Sequence, residues 1–170
     1  SDVDAIVKKI RSHHLNVICY TPEQCMYPVN IASREKGIRD WSVNYLKRSL
    51  EIASQMEAPR TLITIGQGYR NESRDEAWAR CRDSLLQLAE YAGKMGTTIM
   101  LEHLTKTTTN LCVTASQLKD MIRETGGPCL KAMVDVDMAA RVGEGPREYL
   151  EAMGKEIQHV HFIDGMPGEH

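Results

Sequence analysis

Five short, nearly continuous apolar stretches alternate with longer segments of helical period, and this alternation restricts the chain more than any other feature. The stretches are 15–20 (LNVICY), 61–65 (TLITI), 97–101 (TTIML), 130–136 (LKAMVDV) and 159–163 (HVHFI). Each is rich in β-branched or aliphatic residues and is followed by a polar or glycine-containing loop. Short runs that are apolar on both faces are the mark of buried parallel strands.

The intervening segments carry apolar residues at three- and four-residue steps. Residues 38–56 place Trp41, Tyr45, Leu46, Leu50 and Ala53 on one stripe, which predicts an amphipathic helix. A second helix is predicted over 73–95, closed by Gly96, and a third over 115–125, closed by Gly126-Gly127-Pro128. A fourth begins after Pro146 and runs to Met153, and the first dozen residues read as a further helix. Uninterrupted strand–helix alternation predicts an α/β fold with a parallel sheet, in a single domain over 1–170. Two architectures satisfy the pattern: a doubly wound five-stranded sheet, or part of a (β/α)8 barrel, which needs about 250 residues when whole. Periodicity does not choose between them.

Composition narrows the function. Lys and Arg number 21 against 23 Asp and Glu, a net charge of −2, so the basic surplus that phosphate binding requires is missing and no nucleic-acid partner is expected. No apolar run approaches the roughly 18 residues that span a bilayer, and SDVDAIVKKI lacks the layout of a signal peptide. The 5 cysteines include no C-x-x-C pair, which predicts reduced, mostly buried thiols and a cytoplasmic protein.

The ends of the last three strands carry the chemistry. Glu102 in TIMLEHLT, Asp135 in KAMVDVDMA and His161 in HVHFID lie at or just beyond the C-terminal ends of successive strands. In a parallel barrel that face holds the active site. Two carboxylates and an imidazole suit a divalent ion such as Mn²⁺, Co²⁺, Zn²⁺ or Mg²⁺. Side chains alternate along a strand, so Met100, Met133 and His159 are expected on the same face, one layer below. The bland alternative is three unrelated solvated residues at strand ends.

LEHLT, MVDVDMA and HVHFID resemble the fifth, sixth and seventh strand ends of the xylose-isomerase-like barrel family of sugar epimerases and isomerases. The upstream CYTPEQCMYPVN is similar to the fructoselysine 3-epimerase branch. The resemblance implies a partial (β/α)8 TIM barrel of about five βα units, strands 3–7, lacking the first strands and the eighth. It implies Glu102, Asp135 and His161 as metal ligands, with Glu102 also the catalytic acid/base and a fourth ligand, a Glu, on the eighth strand. The implied reaction is epimerisation or isomerisation of a ketose, free, phosphorylated or amine-linked, through an enediolate. Three positions depart from the ketose-epimerase pattern: Thr108 where a Glu, Met138 where a His and Pro167 where an Arg is common.

Tyr20, Glu23, His103, Asp164 and His170 are the expected substrate contacts, each weighed against ordinary loop or interior duty. Open sheet edges predict association with another chain, including a second copy. Two rival readings are a non-catalytic α/β binding module without metal and an endonuclease IV-like DNA repair enzyme. The second needs further His ligands, and Met138 stands where one belongs.

Overall fold

The computed structural model describes residues 2–24 and 28–163. Four strands, β1 (Arg60–Thr64), β2 (Thr98–Glu102), β3 (Leu130–Asp135) and β4 (Ile157–His161), pair in parallel in the order β1-β2-β3-β4. Helices α1 (Asp2–Ser12) and α2 (Lys36–Gln55) precede the sheet. Helix α3 (Arg74–Met95) joins β1 to β2, and α4 (Ala115–Thr125) joins β2 to β3. Two short helices, α5 (Val136–Arg141) and α6 (Pro146–Met153), lead from β3 to β4.

The two faces of the sheet differ. Ile63, Ile99, Leu101, Ala132 and Val134 point into one large core shared with Leu50 of α2, Leu88 of α3, Leu118 of α4 and Tyr149 of α6. Leu62, Met100 and Met133 form a separate small cluster, with Cys19 against it. The helices therefore pack on one face and leave the other to line an interior. That is the build of a barrel wall; a doubly wound sheet carries helices on both faces. Among the described residues no helix is long and apolar enough to cross a membrane.

Local chemistry explains the element ends. Gly96 closes α3 with φ 73°, a left-handed conformation that glycine adopts without strain. Thr114 opens α4 with a capping box: its hydroxyl accepts from the Gln117 amide, and the Gln117 side chain accepts from the Thr114 amide.

The expected strand over 15–20 is a correction. Only Tyr20 pairs, in a parallel bridge with Thr61: its amide donates to the Arg60 carbonyl at 2.9 Å, and its carbonyl accepts from the Leu62 amide at 2.9 Å. Leu15 and Ile18 are exposed, so the upstream residues lack the packing that would hold them extended. Beyond Tyr20, side-chain amides replace the missing strand along β1. Gln24 Oε1 accepts from the Thr64 amide at 3.0 Å while its Nε2 donates to the Leu62 carbonyl at 3.4 Å. Asn30 treats Gln67 the same way, accepting from its amide at 3.1 Å and donating to its carbonyl at 2.9 Å. A Cβ on Gly66 would lie 2.6 Å from Asn30 Oδ1, so this clamp requires glycine there. Two further differences are local. Val136 belongs to α5, not to the strand, and β4 ends at His161, short of Phe162 and Ile163.

Candidate metal centre

β2, β3 and β4 deliver Glu102, Asp135 and His161 to one place. Each offers a ligand atom, and these atoms all lie within 4.8 Å of one another. His161 Nδ1 is 3.4 Å from Glu102 Oε1 and 3.3 Å from Asp135 Oδ2. Asp135 pairs with His161 across β3–β4, whereas Glu102 pairs with Met133, so the three converge although their registers are staggered. Beneath them lie Met100 and Met133, both fully buried, which close the floor against water. His159 pairs with Met133 and packs edge-on against His161 at 5.3 Å between ring centroids.

Sequence explains why the carboxylates stand where they do. Asp135 ends β3 and also caps α5, its Oδ1 accepting from the Met138 amide at 3.0 Å. Glu102 ends β2 on the interior face and is 5% exposed. Burial, reinforced by the Asp135 carboxylate, pushes the Glu102 carboxyl up to about 7. Among the described residues neither carboxylate is paired with Lys or Arg; the side chain beside both is the His161 imidazole. Two buried, unneutralised carboxylates facing one imidazole fit a divalent cation with mixed oxygen and nitrogen ligands.

A cleft of about 540 Å³ opens at the same end of the sheet. Thr64, Gly66 and Gln67 after β1, Leu104 and Thr108 after β2, Met138 after β3, and Gln24 and Asn30 all contribute to its wall. The clamp residues Gln24 and Asn30 thus shape the cleft as well as the sheet edge. The sequence does not distinguish either from other polar loop residues.

The remaining expected contacts fare differently. His103 is a correction: it is 0% exposed, on the helix side of β2, with Nδ1 3.2 Å from the Tyr149 hydroxyl. Burial holds its imidazole down to about 4, so it is neutral. Tyr20 is half-buried, and burial raises its phenol. Glu23 is exposed, and its carbonyl accepts from the Tyr45 hydroxyl at 2.7 Å. Asp164 and His170 lie outside the described residues.

A one-sided parallel α/β wall with metal-type donors at its strand C-termini defines a (β/α)-barrel protein with a strand-end site. The chain belongs to the xylose isomerase-like TIM barrel family, whose model matches residues 1–170. It is 27% identical over 154 residues to the fructoselysine 3-epimerases of Escherichia coli O157:H7 and Shigella flexneri, covering 91% of this chain and 56% of each relative. The chain therefore spans a little over half the length of the curated relatives it matches. Among solved structures, an apo 3-keto-D-glucoside 4-epimerase from E. coli superposes with a TM-score of 0.86 at 18% identity, covering 96% of this chain and 64% of that one. An L-ribulose 3-epimerase superposes at 0.80 with 24% identity, covering 95% and 55%.

Proposed function

We propose that this chain is the central part, strands 3–7, of a metal-dependent sugar epimerase or isomerase acting on a ketose or ketose derivative. The convergence of Glu102, Asp135 and His161 within 4.8 Å at one end of the sheet carries the reading. The family and the fructoselysine 3-epimerase relatives support it.

Glu102, Asp135 and His161 would hold Mn²⁺, Co²⁺, Zn²⁺ or Mg²⁺. The bound ion supplies Lewis-acid polarisation of the sugar carbonyl. The division of labour among the residues follows from their surroundings. Asp135, fixed by the Met138 amide, is a rigid ligand. Glu102 presents Oε1 toward His161, leaving its second oxygen to take a proton from the sugar carbon beside the carbonyl. The buried methionine floor excludes water from that exchange. Gln24, Asn30 and Thr108 line the cleft with neutral donors and acceptors suited to hydroxyl groups. The carboxylate that returns the proton on the opposite face is, by family resemblance, on the eighth strand.

An endonuclease IV-like activity is disfavoured by Met138 and by the net charge of −2. Titration calorimetry with Mn²⁺ or Co²⁺ tests the proposal. Glu102→Ala, Asp135→Ala and His161→Ala are each expected to weaken binding at least about tenfold. No binding by this chain, and none by a form lengthened to the size of its relatives, would sink the metalloenzyme reading and favour a binding module.

A further inference from the structure

Glu102 is the last residue of β2 and His103 follows it; the Glu102 carboxylate faces His161, while the His103 ring packs against Tyr149 of the main core. Asp135 is aimed directly, by the Met138 amide on its carboxylate. Glu102 has no such anchor: among the described residues its one polar contact is His161. The direction of its carboxylate is therefore set through the backbone at the end of β2. At that point the next side chain, His103, is fixed on the other side of the sheet. Its Nδ1 lies 3.2 Å from the Tyr149 hydroxyl, and the two rings pack at 4.7 Å between centroids, tilted by 34°. Both residues are 0% exposed. Tyr149 stands on α6, whose packing in the main core anchors the far end of the contact.

We infer that His103, held by Tyr149, is a positioning residue for Glu102: the buried pair stops the end of β2 from rolling and so keeps the carboxylate aimed at Asp135 and His161. A ligand set of this kind tolerates errors of only about 0.5 Å or 10–20°, and a strand end anchored on one face alone does not meet that. The inference rests on the metal-centre reading for its consequence and on the Glu102–His103–Tyr149 geometry for its cause.

The test uses Tyr149→Phe, which keeps the ring and deletes the hydroxyl, His103→Leu, which deletes the polar partner, and His103→Asn, whose amide reaches the place of Nδ1. Leu50→Ala, in the main core on α2, is a control that lowers stability from a helix that carries neither member of the pair. Co²⁺ affinity by calorimetry is expected to fall about tenfold in Tyr149→Phe and His103→Leu. It recovers most of the way in His103→Asn and stays at the wild-type value in Leu50→Ala. Affinity that follows melting temperature across all four variants, the control included, would show a merely structural pair and overturn the inference. If the wild-type chain binds no Co²⁺, the metal-centre reading fails separately. The pair is then read in metal-free protein by the carboxyl ¹³C resonance of Glu102, assigned with Glu102→Gln. A displaced resonance in Tyr149→Phe, restored in His103→Asn but not in His103→Leu, supports positioning, and an unmoved one overturns it.

Discussion

Burial moves the protonation equilibria of Glu102 and His103 in opposite directions, and the two shifts interlock. Unfolded, a carboxyl near 4.5 is ionised at pH 5.5 while an imidazole near 6.5 is protonated. Folded, Glu102 keeps its proton up to about 7 and His103 stays neutral down to about 4. Taken alone, the Glu102 contribution to stability is full below 4.5 and is lost as pH rises through 7. The His103 contribution is full above 6.5 and is lost as pH falls through 4. Between these limits each state binds one proton for the pair, so their slopes cancel. Glu102→Gln removes one half: relative to wild type, its stability should rise with pH across this window by up to about 1.4 kcal/mol per unit. His103→Asn should tilt the other way. Urea unfolding of the metal-free proteins at several pH values reads both slopes, and parallel profiles for all three would show that the groups do not titrate in this way. The triad was legible because residue type and strand-end position coincide at Glu102, Asp135 and His161. For His103 the sequence leaves substrate contact and a back-facing position both open. Alternation says that it points away from Glu102, but only the position of α6 makes that side a buried one.

Element ends are sharpest in the sequence where the terminal residues carry their own chemistry. Helix α4 runs over the expected residues because Thr114 and Gln117 satisfy its first amides and Gly126 accepts the left-handed turn at its close. Helix α5 is not legible in the sequence because Asp135 has two functions: it ends an apolar strand and caps the next helix, and the apolar Val136 reads as more strand. The segment 15–20 has strand-forming residues, yet it is held at Tyr20 alone, since extended backbone needs partners that a local pattern does not supply. These distinctions predict that Thr114→Ala costs about 1 kcal/mol, through the lost capping box, while Thr114→Ser restores most of it. The urea midpoint should fall without a change in slope, and Co²⁺ affinity should stay constant because α4 contributes no ligand. A cost below about 0.3 kcal/mol would show that tertiary packing, not the cap, holds the start of α4.

At the scale of the whole molecule, apolar periodicity reports that strands are covered but not by what, so barrel and doubly wound sheet were inseparable in the sequence. The separation comes from the division of the core, with Leu62, Met100 and Met133 on the face opposite the helices α2–α6 that build the main core. The same division leaves β4 incompletely covered. Among the described strands it pairs with β3 alone. Val160 is exposed on its helix-side face and Phe162, just past its end, is 90% exposed. An unpaired strand edge next to exposed apolar side chains is a template for pairing with another chain. This 170-residue chain is therefore expected to self-associate with rising concentration in sedimentation velocity. Val160→Lys with Phe162→Lys places charges on that edge and should shift the population toward monomer with little loss of helical signal, because neither side chain belongs to the main core. Association that survives the two lysines would place the contact elsewhere, at exposed Leu15 and Ile18 beside the Tyr20 bridge, the opposite margin of the sheet.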